Sequence, residues 1–218
     1  METFISFVFG TIFGSFFGLV IDRLPLGKSI VTGRSHCEVC QQQLRIWELV
    51  PIFSQLFSKN RCRHCGTHLS LIYPFLELST GFCFSLAYHG WVDLLQFLTL
   101  IFCLILSILD YRAHQFPFVI WLFFAAVFLF LFPWKLEHFT WLLLALLAEI
   151  KNLKIGSGDF LWLFIAAFSL PFMQIVWLIQ IASCLGICFF FIRKSHEIPF
   201  IPFLSTAYLI LLLWDQIH

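Results

Sequence analysis

The run Phe160–Ile192, FLWLFIAAFSLPFMQIVWLIQIASCLGICFFFI, holds 33 residues without one Asp, Glu, Lys, Arg or His. As one helix it would be about 50 Å long, against a bilayer hydrocarbon core of about 30 Å. Proline lacks an N–H and breaks a helix interior. The stretch Pro171–Gln174 is therefore predicted to divide the run into two rather short helices. Apolar runs of this kind recur along the chain. Of 218 residues 61% are hydrophobic, 30 are Phe and only 11% are charged. Soluble domains carry about 25% charged residues, so an ordinary water-facing surface cannot be built. A soluble enzyme, a disordered tail and a nucleic-acid-binding domain are excluded, and an all-α polytopic membrane protein remains.

Working outward, the first apolar run is Thr3–Ile21, preceded by Met1 and Glu2. It lacks the basic leader and small-residue cleavage site of a signal peptide and reads as an uncleaved first helix. Polarity returns at Asp22-Arg23, and Pro25 and Gly27 mark the helix exit. Further spans are expected near 73–89, 94–110, 117–133, 139–155 and 200–214. With the divided run this makes about eight transmembrane helices, although seven would also fit. The organisation expected is a first helix over 1–22, a polar module over 23–72 and a membrane core over 73–218.

The basic residues orient the chain. If it starts outside and crosses eight times, the inner loops hold Arg23, Lys28, Arg34, Arg45, Lys59, Arg61, Arg63, Arg112, Lys151, Lys154, Arg193 and Lys194, twelve of the thirteen. Only Lys135 lies outside. The positive-inside rule favours this orientation. Both termini are expected outside and the polar module in the cytoplasm.

That module contains Cys37-Glu-Val-Cys40 and Cys62-Arg-His-Cys65, with twenty-one residues between the pairs. Two such knuckles can set four thiolates tetrahedrally around zinc. A segment of about fifty residues with few large apolar side chains gains much of its folding free energy from a metal. Disulfides or redox-active dithiols are the alternative, disfavoured in a reducing cytoplasm. Four Cys leave no open position, so the zinc would be structural. His36, His64 and His68 stand nearby as substitute ligands or as solvated histidines. Cys83, Cys103, Cys184 and Cys188 lie in predicted spans, where small buried apolar residues are the default.

Ionisable residues inside spans are costly and mark function by default. Glu77, Asp110 and Asp159 lead that short list. Asp110 ends a span in Ser107-Ile-Leu-Asp110, and Asp159 opens another after Gly156-Ser157-Gly158. With the chain oriented by its basic residues, both fall at the cytoplasmic end of a helix. Two carboxylates within hydrogen-bond reach share a proton, giving a base for water and an acid for the leaving group. That is aspartic-protease chemistry. Gly156 and Gly158 would admit an extended substrate backbone and permit unusual φ. The alternative is that both acids are simply helix-end residues, Asp159 favoured by the helix dipole. Glu77, after Tyr73-Pro74, is a buried polar partner or reaches the interface.

Taken in order, these motifs resemble the type IV prepilin peptidase family, membrane aspartic proteases that process pilins and pseudopilins. Gly14-Ser15-Phe16 with Arg23-Leu24-Pro25 resembles the family's first-helix exit. Arg34-Ser35-His36-Cys37 to Cys40, then Leu49-Val50-Pro51 and Ser54, resembles its cysteine loop. Arg61-Cys62-Arg63-His64-Cys65, Tyr73-Pro74 and Glu77-Leu78 continue it. Asp110, with Pro117 downstream, matches the first catalytic aspartate, and Asp159 the second, in a Gly-x-Gly-Asp motif. Ile198-Pro199-Phe200 and Pro202-Phe203 resemble the Ile-Pro-Phe-Gly-Pro-Phe segment. Departures mark a divergent member: Arg112 replaces a frequent second acid, Phe118 a frequent Asp, Gly18 a usual Asn and Ile201 the terminal glycine.

The resemblance implies leader cleavage of prepilin-like substrates just before a hydrophobic helix, at the cytoplasmic face. It also implies N-methylation of the new terminus with S-adenosylmethionine in many members. The sequence shows no nucleotide-binding glycine fingerprint, so methylation rests on resemblance alone. The compact length resembles versions that serve competence pseudopili. A rival from another class is a non-enzymatic zinc-binding scaffold or a proton-coupled small transporter using the same acids. Transporters usually show internal repeats, and no convincing repeat is visible.

Overall fold

A computed structural model describes residues 1–37, 39–113, 116–151, 156–193 and 198–217. Lys154 and Lys194, two of the basic residues used for orientation, lie outside the described residues. The chain forms two compact units, Met1–Asp93 and Leu94–His218. Among the described residues the protein is helical, with no strand beyond two isolated bridges in the cysteine module.

In the first unit, α1 (Glu2–Arg23) and α3 (Ile72–Tyr88) form an antiparallel hairpin, with the short α2 (Phe53–Ser58) in the loop between them. The hairpin closes because small residues face one another. A Cβ at Gly10 would lie 2.7 Å from Gly81 Cα, and one at Gly14 would lie 2.7 Å from Glu77 Cα and run into Thr80 Oγ1. Backbones can approach this closely only without side chains, as is common between membrane helices. Polar groups pin both ends. Tyr73 donates its hydroxyl to Asp22 Oδ2 at 2.6 Å, and Tyr88 donates to Glu2. Arg23 then ties the loop beyond α1, donating to the carbonyls of Ser29 and Thr32 at 2.9 Å and of Gly33 at 3.0 Å.

The second unit comprises α4 (Leu94–Ala113), α5 (Phe118–Leu131), α6 (Leu136–Ile150), α7 (Ser157–Ser169), α8 (Phe172–Arg193) and α9 (Ile201–Ile217). The closest packing joins α6 to α7, α8 to α9 and α4 to α9. The side chains of Phe102, Phe128, Trp162, Phe164 and Tyr208 are fully buried. Tyr208 meets Trp162 edge-on at 6.5 Å, and His138 stacks on Phe168 at 4.4 Å. Two indole and imidazole groups are satisfied by backbone: Trp121 Nε1 donates to Leu161 O at 2.8 Å, and His138 Nε2 lies 3.1 Å from Ala167 O. The aromatic surplus therefore partly fills a core. Much of the rest points outward, including Phe118, Phe123 and Phe130 on α5. Such a surface has no place in water and suits lipid.

Helices stand at all eight positions read from the sequence. The long apolar run divides at Leu170-Pro171, where Leu170 is extended (φ −120°, ψ 133°). Its two parts are unequal, because α7 has 13 residues and α8 has 22. Among the described residues, Glu2–Arg23, Leu94–Arg112 and Phe172–Ile192 are long and apolar enough to cross a membrane, and α5, α7 and α9 are shorter apolar helices. The chain is an all-α membrane protein with a four-cysteine cluster.

Candidate active site and metal centre

The cysteine module is built from two knuckles of the same design. Cys37 N–H donates to Gln42 O at 3.0 Å, and Gln41 N–H returns to Cys37 O at 2.9 Å. In the second knuckle Cys62 N–H donates to Thr67 O at 2.8 Å, and Gly66 N–H returns to Cys62 O at 2.9 Å. The residue after each second cysteine is left-handed, Gln41 at φ 58° and Gly66 at φ 74°. Each turn thus aims both of its sulfurs to one side. Cys37 Sγ lies 3.8 Å from Cys65 Sγ, and Cys40 Sγ 3.9 Å from Cys62 Sγ, so the pairs interleave. All four sulfurs lie within 4.8 Å of one another, and none is in a disulfide.

Ligands at about 2.3 Å on tetrahedral zinc stand roughly 3.8 Å apart, so the donor set and spacing fit a metal ion. The thiols are unequal. Cys65 is pulled down to about 6, chiefly by the Thr67 hydroxyl 3.3 Å away and by the Thr67 N–H. Cys37 is also lowered, by the N–H groups of Cys40 and Val39. At Cys40 the Gln42 N–H acts to lower the value, but partial loss of hydration beside the other sulfurs and the neighbouring thiols raise it to about 11. His36, His64 and His68 are not part of the cluster.

The two aspartates come from opposite helix ends in the second unit. Asp110 lies in the last turn of α4, and Asp159 in the first turn of α7. These helices pack together, and the two carboxylates are near enough to act on one another electrostatically. Both residues are half-buried. A third element joins them. Ile201, the first residue of α9, donates its N–H to Asp110 Oδ2 at 3.0 Å. The first N–H groups of a helix lack internal partners, and Pro202 has none to offer, so Asp110 serves the one donor at that point. Three residues before Asp110, Ser107 donates to Ser205 at 2.8 Å and repeats the α4–α9 contact. Sequence reasoning singled out the Ile198–Phe203 segment but gave it no task. Its recurrence with the aspartates in the resemblance was the available signal.

Neither Gly156 nor Gly158 has positive φ. A Cβ on Gly158 would lie 2.7 Å from Phe116 Cδ2, so the Phe116 ring occupies the space beside that glycine. A Cβ on Gly156 would lie 3.2 Å from Asp159 Oδ2, so the carboxylate leans back over this exposed residue.

Glu77 is buried in the first unit. Its Oε2 accepts the Ile52 N–H at 2.7 Å, and Ser15 adds a second hydrogen bond. Ser15 and Glu77 are both among the residues that carry the family resemblance.

Comparison with known proteins bears on the first unit above all. A family model described as "Bacterial Peptidase A24 N-terminal domain" matches residues 8–91. The chain is 45% identical over 83 residues to a prepilin leader peptidase/N-methyltransferase of Bacillus subtilis, covering 38% of this chain and 34% of that protein. It is 45% identical over 87 residues to one of Myxococcus xanthus, covering 39% and 26%. A third, from Vibrio cholerae, is 35% identical over 118 residues, covering 49% and 47%. The alignments thus span well under two thirds of these relatives' lengths. No solved structure matches. The family match ends before Asp110 and Asp159. The match to this family model over residues 8–91 is the segment on which the chain's likeness to the prepilin leader peptidases rests.

Proposed function

We propose that the chain is a membrane aspartic endopeptidase that removes the leader of type IV prepilin-like proteins, pseudopilins included, at the cytoplasmic face. The observation that carries this reading is that Asp110 and Asp159 stand in the last turn of α4 and the first turn of α7, two helices that pack together. Asp110, which accepts the Ile201 N–H, is the base that takes a proton from water. Asp159 carries the shared proton and gives it to the leaving amine as the tetrahedral intermediate collapses. The scissile carbonyl lies between them, just before the hydrophobic helix of the substrate. Gly156 leaves the approach to Asp159 open on one side, and Gly158 seats Phe116 on the other.

Both termini lie outside and the cysteine module lies in the cytoplasm, on the charge bias of the loops. Cys37, Cys40, Cys62 and Cys65 hold a structural zinc, which cross-links the two knuckles and takes no part in the chemistry. Methylation of the new N-terminus by S-adenosylmethionine is proposed from the relatives, whose names include N-methyltransferase.

The decisive experiment is co-expression of the chain with pseudopilins of its host, scored by a mobility shift. Asp110→Ala and Asp159→Ala should each leave a folded protein that no longer processes substrate. Retained cleavage by either variant overturns the assignment. Intact mass of the product tests methylation separately, since a mature N-terminus lacking a methyl group argues against it.

A further inference from the structure

The short helix α2 is turned inside out for a segment in water. Phe53, Leu56 and Phe57 point outward and are 54%, 70% and 74% exposed. They share one face at i, i+3 and i+4, with the Phe53 and Phe57 rings stacked at 6.5 Å. The polar residues of the same helix turn toward the protein. Ser54, Gln55 and Ser58 are half-buried, and Gln55 Oε1 is buried without a hydrogen-bond partner among the described residues. A helix beside water does the reverse.

The height of α2 explains the inversion. The polar end of the α1–α3 hairpin is marked by the Tyr73–Asp22 hydrogen bond. Glu77 stands one turn deeper along α3, and its carboxylate receives the N–H of Ile52, the residue that leads into α2. Ile52 is held there at φ 61°, a conformation a β-branched residue adopts only under constraint. The start of α2 is thus tied within one side-chain length of Glu77, whose backbone lies about 7 Å along α3 from that helix's first residue. An interfacial helix buries its apolar face about 5–10 Å into the boundary between headgroups and acyl chains. Lys59 and Arg61, both exposed, follow α2 where anionic headgroups would lie.

We infer that α2 is a membrane-interface anchor, with Phe53, Leu56 and Phe57 inserted among the lipids beside the α1–α3 hairpin. Its partner is the lipid surface of the bilayer that the hairpin spans. The anchor holds the cysteine module against the membrane by a third attachment, besides the two chain connections. This inference is independent of the catalytic reading.

The test uses the full chain in nanodiscs of phosphatidylethanolamine and phosphatidylglycerol. An environment-sensitive fluorescent amino acid is placed at Leu56 or, as control, at the exposed Gln42 of the first knuckle. Lipids brominated in the upper acyl chain should quench position 56 severalfold more than position 42, and aqueous iodide should do the opposite. If iodide quenches both positions alike, α2 faces water and the inference fails. If position 56 is shielded from both quenchers, protein covers it and the inference fails equally. The readout involves no peptide cleavage, so loss of the peptidase reading would leave it intact.

Discussion

The N–H of Ile201 reaches Asp110 Oδ2 at 3.0 Å, across ninety-one residues of sequence. One helix thereby ends and another begins at the same carboxylate. A donor fixed by the backbone orients that carboxylate more firmly than a side chain could, because it has no rotamer freedom to lose. Hydrogen bonds to charged groups are worth about 1.5–3 kcal/mol. Removing this one as Ile201→Pro should slow pseudopilin cleavage about tenfold or more, with KM little changed. Ile201→Val keeps the N–H and should keep near-normal kcat. Equal kcat for the two variants would show that the contact does not position the base.

Gly158 offers a second test at the same site. A methyl group there would meet the Phe116 ring at 2.7 Å, so Gly158→Ala should displace the ring and lower cleavage. Phe116→Ala in the same chain should recover part of the loss. Failure of the double variant to improve on the single one would argue that the glycine is needed for substrate rather than for the ring.

The cysteine module should bind one zinc per chain, measured by elemental analysis of the purified protein. Cys65→Ser should reduce the zinc content and lower the unfolding temperature of the module. A chelator should reproduce the effect in the unmodified chain. Full retention of metal by the variant would point to another ligand set.

In metal-free protein the thiols should separate by reactivity. At neutral pH Cys65, held at about 6, is mainly thiolate, whereas Cys40, raised to about 11, is mainly thiol. Both residues are exposed, so access does not separate them. Iodoacetamide should therefore modify Cys65 first; its labelling should slow as pH falls below about 6, where that thiol becomes protonated, and its advantage over Cys40 should narrow only as pH rises toward about 11. Peptide mass mapping reads the order, and faster labelling of Cys40 would contradict it.

The hairpin of the first unit should be intolerant at Gly14 and more forgiving at Gly18. A side chain at Gly14 meets backbone and Thr80, whereas a Cβ at Gly18 comes no closer than 3.2 Å to the Tyr73 ring. Gly14→Val should destabilise the chain by about 1–3 kcal/mol or more. Gly18→Ala should have a small effect in the same thermal-unfolding assay. Similar unfolding temperatures for the two would refute the close helix approach.

Some of this was open to reading along the chain, because the physics behind it is local. A bilayer demands long apolar runs, and zinc demands paired thiols at short spacing. The eight helix positions, the break beside Pro171 and the four cysteines follow from such demands. The scarcity of charge made Asp110, Asp159 and Glu77 conspicuous before their surroundings were known. Their partners were not legible. Nothing near Asp110 in sequence indicates that Ile201 supplies its donor, and nothing near Glu77 points to Ile52. Nor did the sequence indicate that the Phe116 ring lies against Gly158. The outward turn of Phe53, Leu56 and Phe57 was equally hidden, since α2 is too short for its periodicity to name a face. Hydropathy and ligand spacing are properties of a segment, and the sequence alone determined them. Which acceptor meets which donor, and which medium a helix face meets, depend on where distant segments cross, and only the tertiary structure decided those.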